Sequence, residues 1–185
     1  MLQYLKNHRW GKLMLSVIIV IIVLIIDQWS KISCASALDL GEKIDVIKGV
    51  FSISYVENRG AAFGMLQNAR VFFLIATIIT CSALIYFMIK EYKRMPAAMH
   101  ISLALILAGA LGNFIDRAIL GYVRDMLYFE LIDFPVFNVS DSAICIGAAL
   151  LVIDVLFFKG KAYIDSLNKK HESRNDDAND KKEGN

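Results

Sequence analysis

Two aspartates in the second half of the chain have the residue type and spacing for acid–base chemistry. Asp125 follows a turn signal at Gly121, and Asp141 comes 16 residues later, near the start of the last apolar segment. A connection of this length can bring the two carboxylates face to face. Carboxylates about 3 Å apart share one proton, so one can draw a proton from water while the other donates to a carbonyl oxygen. Such a pair can hydrolyse an amide without a metal ion or a cofactor.

Both aspartates also have structural interpretations. Asp141 can cap or stabilise the first turn of the helix that follows, because helix N-termini favour carboxylates. Asp125 can form an ion pair with Arg117 or Arg124. Asp116 is better explained as the structural partner of a neighbouring arginine. Local sequence alone leaves catalysis and these structural roles open.

Polar residues near the apolar segments separate by side. The outer set comprises Asp27, Asn58, Arg59, Asn113, Asp116, Arg117, Arg124, Asp125, Asn138 and Asp141, and the histidines of the inner set are His8, His100 and His171. Ionisable groups at this depth are costly and face the bundle interior or a wet cavity. Without an outer histidine, a Ser-His-Asp site or a histidine-containing zinc site is excluded there.

Two further aspartates are expected to be structural. Asp27 can cap, pair with Lys31 or support the site from the first apolar segment, and support is the favoured interpretation. Asp154 is expected to reach the inner interface near Lys159, about 20 Å along its helix from Asp141.

Four apolar segments must position these residues. The chain is 57% hydrophobic with a mean hydropathy of +0.52, which is too apolar for an ordinary soluble domain. Helical segments of about 20 residues match a hydrocarbon core of about 30 Å. The predicted spans are residues 13–34, 71–89, 97–116 and 138–158. The sequence therefore predicts a mainly α membrane protein with four transmembrane helices and one domain over residues 1–165.

Basic residues set the predicted orientation. Three clusters fall on one side of a four-span chain: Lys6, Arg9 and Lys12; Lys90, Lys93 and Arg94; Lys159 and Lys161. Because such clusters stay in the cytoplasm, both termini are predicted inside and loops 35–69 and 117–136 outside. The net charge of only +2 gives no basic field that would indicate nucleic acid.

The first outer loop has a strand pattern. Phe51, Ile53 and Tyr55 alternate with serines, which is typical of a half-buried strand, and residues 44–47 are its predicted hairpin partner. We expect a small extracytoplasmic β-cradle over about residues 43–66. The basic residues 1–12 predict a membrane-surface anchor, and the polar residues 166–185 predict a disordered cytoplasmic tail.

Five short blocks occur in order along the chain. They are DQWSK at 27–31, NRGAAFG at 58–64, AGALGNFIDR at 108–117, GYVRDM at 121–126 and FPVFNVSDSAICIGA at 134–148. Together they resemble the lipoprotein signal peptidase (signal peptidase II) family of bacterial membrane aspartic endopeptidases. The resemblance covers roughly residues 10–160. One block alone would be weak evidence for the family, whereas five blocks in the same order on a four-span chain are specific evidence.

This resemblance implies that Asp125 and Asp141 are the catalytic pair. The supporting residues that it implies are Asp27, Asn58, Asn113, Arg117 and Asn138. The implied substrate is a prolipoprotein with diacylglycerol on its lipobox Cys, cleaved just before that Cys. The resemblance also implies an N-in/C-in topology in the bacterial cytoplasmic membrane, with the site at the extracytoplasmic face. We expect a monomer surrounded by membrane lipid, without metal or cofactor.

Two positions depart from the family pattern. Arg124 stands where an apolar residue is common, and Ser140 stands where Ala is common. If the Arg124 side chain turns towards the pair of Asp125 and Asp141 (the dyad), it lowers the pKa of Asp125. It could equally reach a lipid phosphate.

Two other functions compete with the peptidase. Carboxylates within spans also mark transporters and proton pathways, although such a route needs polar groups at several depths. A noncatalytic assembly subunit is the third hypothesis, since Ala104, Ala108 and Gly112 form a small-residue face suited to helix packing.

Overall fold

The fold, taken from a computed structural model, is described for residues 11–60 and 65–169. Its four long helices are α1 (Gly11–Ala37), α2 (Arg70–Glu91), α3 (Ala97–Ile119) and α4 (Val139–Phe157). Each is long and apolar enough to cross a membrane. The predicted four-span architecture is therefore confirmed, and α1 continues past Asp27 as expected. The predicted anchor, the loop at residues 61–64 and the chain after residue 169 lie outside the described residues.

On α1 the buried residues are mostly polar, and large apolar residues face outward. On α1, Ile21 and Ile25 are largely exposed while Asp27 and Lys31 are fully buried. Because the surrounding hydrocarbon is apolar, burial of isoleucine brings no gain there, whereas charged groups need partners inside the bundle.

Helix α3 lies at the centre, packed against the other three helices. Ala104 and Ala108 are fully buried on its small-residue face. At Gly112 an added Cβ would lie 2.7 Å from a carboxylate oxygen of Asp27 and would also collide with the hydroxyl of Ser140. The absence of a side chain at Gly112 therefore allows α1, α3 and α4 to meet beside the polar residues.

A three-stranded antiparallel sheet caps one end of the bundle, in the order β1 (Lys43–Ile47), β2 (Phe51–Asn58) and β3 (Val123–Phe129). The predicted hairpin is present, with Ile44 opposite Ile53 and a turn at Gly49, whose φ of 71° favours glycine. The third strand was not predicted. It pairs with β2, and a short 3-10 helix (Glu130–Ile132) follows it.

The alternation on β2 is observed, but the buried face is the polar one. Ser52 and Ser54 are buried, whereas Ile53 is 36% exposed. The serine hydroxyls are satisfied, since Ser52 donates to Asp45 and Glu130, and Ser54 donates to the carbonyl of Glu42. The apolar face of the strand is therefore free to face a ligand or lipid.

A further helix covers residues 159–169 after α4. The predicted disordered tail began at residue 166, so its first four residues are helical instead. Tyr163 on this helix is buried against Met95 and Met99, which explains the added order through apolar packing across the end of the bundle.

Candidate active site

Strand β3 and the first turn of α4 bring the two predicted catalytic aspartates to one cavity. Asp125 lies in the middle of β3, opposite Val56 of β2. Phe137, just before α4, bridges to Leu127 of β3, so the chain that leads into α4 is fixed against the same strand. Asp125 is 2% exposed, and both aspartates line the cavity. Both aspartates therefore line the same cavity, from β3 and from the first turn of α4.

The start of α4 joins a helix cap to the candidate site. Asn138 is the N-cap, and its side-chain oxygen accepts a hydrogen bond of 3.0 Å from the backbone N–H of Asp141. In return, Asp141 Oδ2 accepts a bond of 3.2 Å from the backbone N–H of Asn138. This reciprocal capping box gives acceptors to two backbone N–H groups at the helix start that have no acceptor within the helix. Asp141 therefore has the structural role considered from sequence and still presents Oδ1 to the cavity side.

Two asparagine amides donate to Asp125. Asn138 Nδ2 lies 2.6 Å from Oδ1, and Asn58 Nδ2 lies 3.0 Å from Oδ2. The backbone N–H of Gly60 donates to Asn58 Oδ1, which fixes the orientation of that amide. Asn58 therefore holds the Asp125 carboxylate from the end of β2.

Asn113 of α3 connects the pair to the bundle interior. Its Nδ2 donates to Asp141 Oδ1 at 2.7 Å, and its Oδ1 accepts from Asn138 Nδ2 at 3.1 Å. A third bond comes from Lys31 Nζ to Asn113 Oδ1 at 3.0 Å. Because Oδ1 is held by two donors, the Asn113 amide presents its N–H group to Asp141.

Lys31 belongs to a buried cluster of two acids and two bases behind the dyad. Its ammonium lies 2.9 Å from Asp27 and 3.7 Å from Asp116, and all three side chains are fully buried. Arg124 pairs with Asp116 at 2.7 Å and completes a neutral set. Sequence reasoning placed Lys31 only as a partner of Asp27. Its i, i+4 spacing was the available signal, but its contact with Asn113 spans 82 residues.

Arg124 does not turn towards the dyad, which was one of the two positions considered from sequence. Its guanidinium donates to Asp116 and Gln28 and not to either aspartate of the pair. The turn at Gly121, with φ of 89°, folds β3 back beside the end of α3 and brings Asp116 within reach. Asp116 is therefore structural, as predicted. Its ion pair fixes the position of Arg124, which directly precedes Asp125 in β3.

Asp27 supports the site by two routes. One carboxylate oxygen pairs with Lys31, and the other accepts a bond of 2.9 Å from the backbone N–H of Ser140 in the first turn of α4. Helix α1 thus holds the helix start that carries Asp141, which agrees with the supporting role expected for Asp27.

Arg117 lies in the cavity wall and forms no hydrogen bond to Asp125 or Asp141 within residues 11–60 and 65–169. It donates to the carbonyl of Gly60 at 2.9 Å and stacks over the ring of Phe73, 4.5 Å from its centroid. Its charge therefore acts on the dyad through space, while its hydrogen bond holds the chain after β2.

Burial raises the pKa of Asp125 to about 7, and the nearby carboxylate of Asp141 adds to the effect. The amide donors and the Lys31 ammonium act in the opposite direction. A carboxyl with a pKa near 7 keeps a substantial protonated fraction at neutral pH. It can therefore donate a proton that an ordinary aspartate has already lost.

The cavity that receives both aspartates has a volume of about 1030 Å³. Its polar end holds the carboxylates, Asn113 and Arg117, and much of its wall is apolar. The aromatic members of that wall are Phe51, Phe73, Phe129, Phe134 and Phe137. The arrangement suits a partly apolar substrate whose carbonyl group meets two carboxylates at the polar end.

Asp154 is buried near the end of α4, beside the start of the helix that carries Lys159, and its place at the inner interface stays a prediction. It is 5% exposed, and its Oδ2 has no hydrogen-bond partner within the described part of the chain. It packs against the backbone at Gly160, where the chain turns from α4 into the next helix.

The fold is a multi-pass membrane bundle with two aspartates at one end, each held by hydrogen bonds from neighbouring groups. This combination defines the class of protein as a membrane-embedded aspartic peptidase. The chain belongs to the signal peptidase II family, since the profile described as Signal peptidase (SPase) II matches residues 19–157. The resemblance predicted from the five sequence blocks is thereby confirmed, and the chain is an aspartic-type peptidase.

Proteins that are similar to this chain match it along most of their own length. A lipoprotein signal peptidase of Caldanaerobacter subterraneus is 46% identical over 147 residues, which cover 79% of this chain and 98% of that protein. One from Streptococcus thermophilus is 44% identical over 128 residues, covering 69% and 83%. A bacterial membrane enzyme solved by the in meso method at 1.9 Å has a TM-score of 0.70 and 40% identity, covering 77% of this chain and 92% of that chain.

Proposed function

We propose that this chain removes the signal peptide from diacylglyceryl-modified prolipoproteins by cleaving the amide bond just before the lipid-modified Cys. The observation that carries the proposal is the pair Asp125 and Asp141 at one cavity, each carboxylate held by two hydrogen bonds. Family membership supports the reaction class, and the relatives named above carry the name lipoprotein signal peptidase.

In the proposed mechanism the two aspartates have different roles. Asp141 is the ionised base that takes a proton from water, and the water oxygen attacks the scissile carbonyl carbon. Asp125, with its raised pKa, donates its proton to the carbonyl oxygen. Collapse of the tetrahedral intermediate breaks the C–N bond, and the proton held by Asp141 passes to the leaving amine. Asp125 then recovers a proton from the carboxylic acid product or from water.

The supporting residues hold the two carboxylates in position before the substrate reacts. Asn58, Asn113 and Asn138 hold the carboxylate oxygens, so little reorganisation is needed when charge develops. Asp27 fixes the start of α4, and the charge of Arg117 stabilises the ionised member of the pair. These roles are proposed from hydrogen bonds of 2.6–3.2 Å and from burial.

We also propose the setting of the reaction. The basic clusters place both termini in the cytoplasm, so the dyad lies at the extracytoplasmic face of the bacterial cytoplasmic membrane. The apolar cavity wall accepts the acyl chains or apolar signal-peptide residues from the bilayer. One chain supplies all the groups of the mechanism, so a monomer is sufficient. A transporter or proton pathway is not favoured, because the described polar network is concentrated at one end of the bundle.

The test is cleavage of a lipidated and an unlipidated precursor by wild type, Asp125→Asn and Asp141→Asn. We expect each variant to lose at least about 10³-fold in kcat while it still inserts and folds. Asp154→Asn is the matched control, because it changes a carboxylate on the same helix as Asp141 but outside the site. Full turnover by both site variants would exclude the dyad, and equal cleavage of the two precursors would exclude the lipid requirement.

A further inference from the structure

The bundle end opposite the dyad contains a second pocket, of about 660 Å³, that the peptidase mechanism does not use. It is formed where the start of α1, the loop between α2 and α3, and the helix over 159–169 meet. Three cations from these separate segments line it: Lys12, Arg94 and Lys159. The sequence predicts a membrane-surface anchor over residues 1–12, and the same prediction puts the pocket at headgroup depth.

The three cations lack acidic partners. Within the described residues, none of them forms an ion pair, and Lys12 donates only to the backbone carbonyl of Met95 at 2.6 Å. No acidic residue lines the pocket. Acids near this end of the bundle are Glu91, which interacts with Tyr163, the buried Asp154, and Asp165 on the last helix. Three positive charges therefore converge on one opening whose lining contains no acidic side chain.

The N-terminus of α3 opens onto the same pocket. Pro96 is its N-cap and provides no side-chain hydrogen bond, and Pro96 and Ala97 both line the opening. The first N–H groups of a helix have no intrahelical acceptor and carry partial positive charge, which makes a helix start favourable for an anion.

A buried hydroxyl points to a ligand independently of these charges. Tyr163 lines the pocket and is 5% exposed, yet its hydroxyl has no hydrogen bond of normal geometry in the described chain. Burial, together with nearby Glu91, raises the pKa of Tyr163 to about 12, so the hydroxyl remains a donor. An unsatisfied buried hydroxyl is costly, and an acceptor in the pocket would remove that cost.

We propose that this pocket binds the phosphate group of an anionic phospholipid in the leaflet opposite the dyad, held by Arg94, Lys159, Lys12, the Tyr163 hydroxyl and the start of α3. A phosphate diester supplies the several acceptor oxygens that these donors need. The site is separate from the proposed peptidase function and does not depend on it. Its occupancy would tie the ends of α1, α3 and the last helix together.

The experiment measures lipid binding by the full-length protein in nanodiscs. Thermal unfolding is followed in phosphatidylcholine alone and with increasing phosphatidylglycerol. We expect phosphatidylglycerol to raise the melting temperature of wild type, and Arg94→Gln/Lys159→Gln to need roughly tenfold more of it for the same shift. Tyr163→Phe keeps the packing and removes one donor, so a loss of about threefold is expected. This single variant also tests the site if the double variant does not fold.

Lys90→Gln/Lys93→Gln is the matched control. It removes the same charge from the same end of the bundle, but these lysines lie over Tyr86 and Tyr92 and do not line the pocket. We expect this control to respond to phosphatidylglycerol as wild type does. Equal losses in both double variants would replace the site with a diffuse surface field, and no loss in Arg94→Gln/Lys159→Gln would exclude the pocket.

A second arm separates lipid from free phosphate. Inorganic phosphate and glycerol 3-phosphate are added to wild type in phosphatidylcholine nanodiscs. Under the proposal neither reproduces the shift, because the lipid's anchoring in the bilayer supplies a high local concentration. A full shift with inorganic phosphate alone would overturn the assignment to lipid. Cleavage of the precursor in phosphatidylcholine alone shows that each variant is folded, whichever result the lipid titration gives.

Discussion

The two ends of the helical bundle treat buried polar groups in different ways. At the dyad end, Asn113 and Asn138 connect both aspartates, and the charges behind them form a neutral set in which Asp27, Lys31 and Asp116 are fully buried. At the opposite end, the Tyr163 hydroxyl and Asp154 Oδ2 have no hydrogen-bond partner of normal geometry in the described chain, and no acidic side chain lines the pocket around its cations. A site that must hold reacting groups in place is satisfied internally, whereas unsatisfied donors at the other end suit an external ligand.

The largest expected effect is on folding and concerns the fully buried Lys31. Lys31→Met leaves Asp27 and Asp116 with one cation fewer, so we expect the free energy of unfolding to fall by about 3–5 kcal/mol. Lys12→Met makes the same change at the other end of α1, where the side chain is only partly buried, and should cost about 1 kcal/mol or less. Denaturation in detergent measures both. Equal losses would remove the contrast between the two ends.

A compensated variant shows what Lys31 does besides neutralising charge. In Asp27→Asn/Lys31→Met the buried set is neutral again, and an amide oxygen at position 27 can still accept from Ser140. We expect stability to recover in large part, while kcat stays below wild type because Asn113 Oδ1 has lost a donor. Full recovery of kcat would mean that Lys31 serves charge balance alone.

The next effect is on catalysis and concerns Asn113. Asn113→Ala removes the donor to Asp141 Oδ1, and we expect kcat to fall about 10²–10³-fold with a small change in KM. Ser102→Ala, also on α3, removes a fully buried hydroxyl bonded to the carbonyl of Ala98 far from the dyad. It should leave kcat unchanged. A comparable fall in both variants would mean that any buried polar loss on α3 impairs the enzyme.

The pH dependence sharpens the assignment of roles. Because the pKa of Asp125 is raised to about 7, kcat/KM should fall as the pH rises through that value and the acid loses its proton. The free energy of unfolding should also fall as the pH rises. The folded state favours protonated Asp125, so its stabilising contribution is complete below the ordinary pKa of 3.8 and is lost as the pH rises through about 7. Asp125→Asn should abolish this part of the stability profile. An unchanged profile would exclude Asp125 as the protonated member.

Sequence predicted the parts of the molecule that depend on local pattern or on the family blocks. The apolar segments identify the four helices, and the capping role of Asp141 follows from its position in a helix start. Strand β3 was missed because Arg124 and Asp125 interrupt its apolar alternation, and because its partner β2 lies more than 60 residues earlier, as the pairing of Asn58 with Val123 shows.

Long-range polar contacts were also beyond prediction. The contact of Lys31 with Asn113 and the turn of Arg124 towards Gln28 join residues 82 and 96 positions apart. Each depends on how α1, α3 and β3 meet in space, and residue spacing along one helix carries no information about that. The departures at Arg124 and Ser140 were visible in sequence, but only the fold assigns Arg124 to the buried neutral cluster.

Ser140 is the exception at the dyad end and gives the smallest expected effect. Its side chain is fully buried, and its hydroxyl has no partner in the described chain, while its backbone N–H donates to Asp27. Ser140→Ala keeps the backbone bond and removes the unsatisfied hydroxyl, so we expect stability to rise by about 1 kcal/mol with kcat unchanged. Ser142→Ala is the control, because that hydroxyl donates to the carbonyl of Asn138 and its loss should be destabilising. If Ser140→Ala were instead destabilising and lowered kcat, the hydroxyl would have a partner such as water, and the dyad end would be internally satisfied without exception.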